Sequence, residues 1–253
     1  MKKILFLTTV VAVSILSLAL ISGCATDGSQ SGDSDGAYSK ADLKLGGLLY
    51  DKWAKVRNLE TAGNHPLYPA LGKKKGGDTF RCKECHGWDY IGKDGRYSKG
   101  SHYTGIKGLY DSRTKSPEEL YSALTDTDAK HNFSKHLTDS GDIWALVKFI
   151  KEGQLDITTA LGPDGKAKGS VSRGKTLFDS NCSRCHGEDG NKLDFKGDKN
   201  GVQGVGWLAN DNPQESLHKI RIGHPGSAMP SMIVERGLSD SETVDILTYS
   251  LTL

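Results

Sequence analysis

Apolar residues follow two patterns along this chain of 253 residues. Residues 4–21 form one mostly apolar run near the N terminus. Residues 143–150 and 244–251 instead carry apolar side chains three or four positions apart. This second spacing places the apolar side chains on one face of a helix. It therefore predicts an amphipathic helix near the middle of the chain and another at its end.

An internal repeat precedes these two helices. Residues 46–51 (GGLLYD) and 174–179 (GKTLFD) share glycine, leucine, an aromatic residue and aspartate in register. Farther along, residues 116–119 (SPEE) and 212–215 (NPQE) each combine an N-cap residue, a proline at the first helical position and a glutamate that completes a capping box. The repeat predicts two successive copies of one helical arrangement.

The two copies predict two homologous all-α domains, at residues 39–156 and 157–253. The first copy is longer than the second, because about 30 residues separate Asp51 from the first cysteine of the region. This segment carries paired glycines, two prolines and the lysine run at residues 73–75. Its composition predicts an irregular surface insertion. The lysine run is either a docking site or part of a solvated loop.

The N-terminal apolar run predicts export. It follows two lysines and closes on the sequence ISGC at Cys24, which resembles the lipobox of bacterial lipoproteins. The resemblance implies a signal peptide at residues 1–23 and acylation of Cys24, with an uncleaved membrane anchor as the alternative. Ala25, where many such proteins retained at the inner membrane have aspartate, favours the outer membrane. Residues 24–38, rich in Gly, Ser and Asp, predict a flexible tether.

The sequence CXXCH occurs twice, at residues 82–86 (CKECH) and 182–186 (CSRCH). On a helical turn the two cysteines can form thioethers to haem vinyl groups, and the histidine can bind the iron. A structural zinc site needs its ligand pairs roughly 12 to 20 residues apart, whereas these lie about 100 residues apart. A dithiol redox pair does not need the histidine. The motifs therefore predict two covalently bound haem c groups. The predicted ligands are Cys82, Cys85, Cys182 and Cys185 for the thioethers and His86 and His186 for the iron.

With these motifs in place, the order of predicted elements resembles the class I cytochrome c fold. In the second copy the helix at Gly174 runs directly into Cys182, and the sequence AMP at residues 228–230 lies where the family supplies its distal methionine. The resemblance implies two tandem class I cytochrome c-like domains. It also implies Met229 as the sixth ligand of the second haem, with Met232 as the alternative. A His and Met pair generally raises the haem potential, so we expect the second haem to have the higher potential.

The first haem needs a different sixth ligand, because the methionines that remain after processing both lie in the second copy. The histidine candidates in the first copy are His65, His102, His131 and His136. His131 precedes the final helix of its copy much as Met229 does, so His131 is the expected ligand. The alternatives are an open iron, His102 and His136. In the second copy, His218 and His224 are expected to be surface or loop residues.

Two classes of function fit this sequence. The favoured class is an exported dihaem cytochrome that carries single electrons between a membrane or periplasmic donor and an acceptor, because an iron with two axial ligands has no vacancy for a substrate. The alternative is a haem oxidoreductase, thiosulfate dehydrogenase-like or peroxidase-like, with its active site at the first haem. Either the protein acts alone with redox protein partners, or it is a subunit of a larger electron conduit.

Charge narrows the choice of partners. The formal net charge of +2 equals that of the two lysines in the predicted signal peptide, so the mature side chains are balanced. The sequence has no dense basic stripe of the kind that binds phosphate backbones. We therefore do not expect a nucleic acid partner.

Overall fold

A computed structural model describes residues 31–127, 130–197 and 201–253. The predicted signal peptide, Cys24 and the first part of the tether lie outside these residues. The described part is mostly helical and contains no β-strand, in agreement with the predicted all-α class. None of its helices is long and apolar enough to cross a membrane. The α-helices in this part are α1 (Ser31–Lys40), α2 (Leu43–Val56), α3 (Cys82–His86), α4 (Pro117–Thr125), α5 (Ser140–Lys148), α6 (Ile157–Ala160), α7 (Val171–Asn181), α8 (Ser183–His186), α9 (Val205–Asp211), α10 (Pro213–Ile222) and α11 (Asp240–Ser250).

The first hydrophobic core forms where α2 crosses α5. Gly46 makes the crossing close, because a Cβ at this position would collide with the carbonyl oxygen of Ala145. One turn farther along α2, the buried ring of Tyr50 packs against Phe149, with ring centroids 5.3 Å apart. The glycine lets the two backbones approach, and the aromatic pair fills the space beside them.

The second core forms at the same kind of crossing, between α7 and α11. A Cβ at Gly174 would collide with the carbonyl oxygen of Asp245. One turn later, the ring of Phe178 lies 5.4 Å from that of Tyr249. The repeated glycine and aromatic positions therefore occupy equivalent places in two groups of helices. We call residues 43–153 the first unit and residues 157–253 the second unit.

Helix α10 belongs to the second unit in sequence but contacts both cores. Leu217 and Ile220 pack in the second core, whereas Ile222 is buried in the first. Gly47 of α2 makes room for this contact, since a Cβ there would lie 2.6 Å from the nearest carbon of Ile222. The two units are therefore packed against each other through a shared helix.

The predicted helix starts are confirmed. Ser116 accepts a hydrogen bond from the backbone N–H of Glu119, whose carboxylate accepts one from the N–H of Ser116, so the capping box of α4 is complete. Asn212 likewise accepts from the N–H of Glu215 at the start of α10, but the capping box predicted there is not complete, because the backbone N–H of Asn212 donates to the carbonyl of Leu208 instead. These local signals can be read from sequence because donor and acceptor lie three residues apart.

The predicted insertion of the first unit is also confirmed as irregular. Residues 57–75 contain no helix, and the chain becomes helical again only in the 3₁₀ turn Gly76–Phe80. Lys73 and Lys75 are exposed. The insertion joins the end of α2 to the first CXXCH turn.

Helix α1 corrects the predicted tether. The prediction of a flexible segment over residues 24–38 is wrong for residues 31–38, which are helical. The Tyr38 ring packs against the first core and its hydroxyl donates a hydrogen bond to Glu152. The ammonium of Lys148 lies 4.6 Å from the centroid of the same ring. The Ser34 hydroxyl also donates to the Glu118 carboxylate at 2.9 Å. These contacts hold in place a segment whose overall composition indicates flexibility.

Candidate haem sites

Both CXXCH segments form one helical turn with the same ending. Helix α3 comprises the whole first motif, and Cys182 is the N-cap of α8 in the second. Gly87 and Gly187 end the two turns, each with a φ of 83°. This left-handed conformation favours glycine because it has no Cβ. Each turn therefore presents two cysteines and one histidine from a short segment, as thioether attachment and iron ligation require.

In the described residues, the four motif cysteines form no disulfide. Burial raises the pKa of Cys82 and of Cys182 to about 12, and that of Cys85 to about 11. Thiolates, not protonated thiols, bind zinc and attack disulfides. A structural zinc site would also need further ligands beside each cysteine pair, and among the described residues no group of three or more His, Cys, Asp or Glu side chains is placed to hold a metal ion.

The imidazole of His86 is oriented by the backbone. Its Nδ1 lies 2.9 Å from the carbonyl oxygen of Lys107. A carbonyl can only accept, so Nδ1 carries the proton and the lone pair of Nε2 is left for a metal. Burial is the main cause that lowers the pKa of His86, to about 4, which keeps the ring neutral and able to coordinate.

The His131 ring lies near that of His86, with ring centroids 5.9 Å apart. Two imidazoles on opposite sides of one metal ion have centroids about 6 Å apart, given metal–nitrogen bonds of about 2 Å and about 1 Å from nitrogen to ring centre. The observed spacing fits an iron held between the two rings. The Phe133 ring is stacked on His131 at 5.9 Å and supports its orientation.

His65, His102 and His136, the other histidines of the first unit, contact Glu84 or Phe80. The Nδ1 atom of His102 lies 2.8 Å from a carboxylate oxygen of Glu84. The rings of His65 and His136 both pack edge-on against Phe80, with centroids 5.1 and 6.0 Å away. His131 is supported as the ligand by its approach to His86, and its assignment stays a prediction.

The second site is lined by apolar side chains. The Phe195 ring meets His186 edge-on at 5.9 Å, and Phe195 and Leu193 are 41% and 45% exposed. A large flat apolar group would cover such side chains, and haem is such a group. Met229 is half-buried in the segment before α11, whereas Met232 is 2% exposed within the second core. This difference favours Met229 as ligand and gives Met232 a packing role.

Residues 171–253 match the model of the cytochrome c family. The match spans the second CXXCH turn, Met229 and the crossing of α7 with α11. It supports a c-type cytochrome, that is, an electron-transfer protein that binds haem covalently. No curated protein matches the chain.

Within the matched residues, one histidine departs from the sequence prediction. His218, expected at the surface or in a loop, is on α10 and only 2% exposed. Its ring lies 5.0 Å from that of Trp88 in the first unit. The prediction was wrong because the first unit covers the outward side of α10, and no local spacing signals that contact. His224, just beyond α10, is exposed as expected.

Proposed function

We propose that the protein is an exported dihaem c-type cytochrome with two tandem class I-like domains. The family match covers the second unit. For the first unit, support comes from the equivalent helix crossing at Gly46, the CXXCH turn of α3 and the same left-handed glycine after it. The proposed ligands of the two haems are those named from the sequence.

The single observation that carries this function is the approach of His131 to His86 at 5.9 Å. With Met229 available to the second haem, each iron would have two axial ligands from the chain. A six-coordinate iron has no vacant position for a substrate, which supports electron transfer over catalysis. A haem oxidoreductase would need one axial position of the first haem to stay open, and the closeness of His131 to His86 supports a filled position instead.

Each bound haem would supply one-electron chemistry, its iron changing between ferric and ferrous states. The protein would hold each haem and set its reduction potential. The cysteines fix the haem covalently, and the Lys107 carbonyl orients His86. The Phe195 ring, which packs edge-on against His186, would help to exclude water from the second haem. An electron from a reduced donor protein would leave to an oxidised acceptor protein, with no other chemical change.

We further propose that the mature chain is lipid-anchored through Cys24 after loss of residues 1–23, at the outer membrane of the cell envelope. The support is the sequence ISGC and the alanine at position 25. The partners are then redox proteins, or the other subunits of a larger electron conduit. If Cys24 is acylated, Cys24→Ser should move the protein from the membrane fraction or block its processing. A soluble wild type with unmodified Cys24 would contradict the anchor.

Optical and electron paramagnetic resonance (EPR) spectra of the purified protein test the dihaem proposal. We expect two low-spin haems, one with two histidine ligands and one with histidine and methionine. A high-spin first haem that binds carbon monoxide quickly would instead favour the oxidoreductase alternative.

A further inference from the structure

Helix α10 is buried on nearly every side despite its polar sequence. Nine of its ten residues are buried, all except Glu215. Leu217 faces the second core, and Ile222 is part of the first. The polar residues between them must therefore find partners at the contact between the units, because burying an unpaired polar group costs free energy.

His218 has a partner from the first unit at each ring nitrogen. Its Nε2 lies 3.1 Å from the carbonyl oxygen of Gly47, and its Nδ1 lies 2.9 Å from the hydroxyl of Tyr90. Because a carbonyl only accepts, Nε2 carries the proton and donates, and Nδ1 accepts from the tyrosine. A fully satisfied buried network of this kind specifies one arrangement of the groups that it joins.

Two further polar contacts flank the histidine. The Lys219 ammonium lies 3.2 Å from a carboxylate oxygen of Asp51, which is itself buried. The Arg221 guanidinium donates to the carbonyl oxygen of Gly153 at 2.7 Å. Gly153 ends a π-helical turn, Phe149–Gly153, that follows α5. Since π turns reorient local backbone groups and are frequent at functional positions, this turn presents a first-unit carbonyl to α10.

The contact between α10 and the first unit is joined by hydrogen bonds and ring packing to segments of both candidate haem sites. On the first-unit side, the Tyr50 hydroxyl donates to the carbonyl of Gly87 at 2.6 Å, directly after His86, and the Tyr50 ring lies 6.0 Å from that of His218. On the other side, the backbone N–H of Met232 donates to the carbonyl of Ile220 on α10 at 3.2 Å. His218 thus lies between the segment that carries one proximal ligand and the segment that carries the methionines.

We propose that His218 is a positioning residue that fixes the two haem sites relative to each other and thereby sets the rate of electron exchange between them. The inference rests on the proposed dihaem function. With both haems bound, one electron would pass from a reduced first haem to an oxidised second haem, with no other group transferred. The bridge from α10 to Gly47 and Tyr90 holds the distance and angle that this step needs.

The test compares holoprotein of wild type, His218→Leu and Tyr90→Phe. Lys44→Ala is the matched control, because Lys44 and Glu235 form a 2.8 Å ion pair between the same two units but at the exposed rim, where such pairs contribute little. Three quantities are measured: the haem content and spectrum, the magnetic interaction of the two ferric haems by EPR, and the rate of electron redistribution after partial photoreduction.

We expect His218→Leu to keep both haems with wild-type axial spectra but to lose part of the magnetic interaction and to slow redistribution by about tenfold, since small displacements of reacting groups cost large factors in rate. Tyr90→Phe should give a smaller slowing, and Lys44→Ala none. An unchanged rate and magnetic interaction in His218→Leu overturns this inference and leaves the dihaem proposal standing. If His218→Leu does not assemble, unchanged values in Tyr90→Phe overturn it. One haem in the wild type overturns the proposed function itself.

Discussion

The two CXXCH turns have the same backbone but opposite surroundings. In the first, the two residues between the cysteines are buried, Lys83 at 4% and Glu84 at 0% exposure. They form an ion pair of 2.8 Å. In the second, the corresponding Ser183 is half-buried and Arg184 is exposed. A shared motif thus has one copy facing protein and one facing solvent, and we expect external redox partners to exchange electrons at the second.

The proximal histidines differ as well. His86 donates to the carbonyl of Lys107, whereas the Nδ1 of His186 is buried and has no partner within the described residues. A hydrogen bond at the far nitrogen makes an imidazole a stronger electron donor to its metal. If the first haem also has a second histidine where the second haem has methionine, we expect the lower potential at the first haem and the higher potential at the second.

Removing one pair of attachment cysteines at a time should have the largest effect, and it tests whether each CXXCH turn binds its own haem. Cys82→Ala with Cys85→Ala should leave one covalently bound haem, because each haem needs its own turn. Cys182→Ala with Cys185→Ala should leave the other, and all four changes together should leave none. Mass spectrometry of the denatured holoprotein measures the outcome. A wild-type mass without two haem additions would contradict the dihaem proposal.

Axial ligand variants sharpen the difference between the two haems. Met229→Ala removes a soft sulfur ligand, so it should abolish the weak sulfur-to-iron absorption band and lower the higher of the two potentials. His131→Ala should keep that band and turn the lower-potential haem high-spin, with rapid binding of added cyanide.

His136→Ala is the matched control for His131→Ala. Its ring packs on Trp53 at 5.3 Å, so the spin state should stay unchanged. Fast cyanide binding in the wild type, or a wild-type spectrum in His131→Ala, would show that the first iron has a different sixth ligand or none.

The sequence predicted the features that depend on local spacing. The capping box at Ser116 and the CXXCH turns are set by residues three or four positions apart. The repeat also located the glycines at the helix crossings. Burial of His218 and the order of α1 depend instead on side chains more than 100 positions away, Tyr90 and Glu152. No pattern within one segment encodes such contacts, so sequence reasoning missed both.

Replacing the glycine at each helix crossing, Gly46 or Gly174, with alanine tests whether the two units pack in the same way. Gly46→Ala and Gly174→Ala should each destabilise the protein by about 1–3 kcal/mol, because the added Cβ meets a backbone carbonyl that cannot move aside easily. Urea unfolding of the holoprotein gives the value. Gly36→Ala in α1 is the control, since a Cβ there has no neighbour within 4 Å. A loss at only one crossing would show that the units are packed differently.

Acidification gives the smallest expected effect and tests the buried histidine. Burial is the main cause that lowers the pKa of His218, to about 3; Asp51 opposes the shift, and Lys219 and Arg221 add to it. In the unfolded chain a histidine has a pKa of about 6.5. Between these values the unfolded state binds the proton and the folded state does not, so stability falls as the pH drops below about 6.5.

The free energy of unfolding should fall by up to about 1.4 kcal/mol per pH unit, which amounts to about 2 kcal/mol between pH 6.5 and pH 5. His218→Gln cannot titrate, so the difference between wild type and His218→Gln in urea-unfolding free energy should shrink by that amount over the same range. Asp51 does not interfere, because its pKa is lowered to about 2 by Lys219 and Arg81 acting against burial, and its contribution changes only below about pH 4. His224→Gln, at an exposed site, should show a smaller change. Parallel pH profiles of stability for wild type and His218→Gln would mean that His218 is charged or solvated at the contact between the units. The buried hydrogen bonds of His218 to Gly47 and Tyr90 would then not describe the protein in solution.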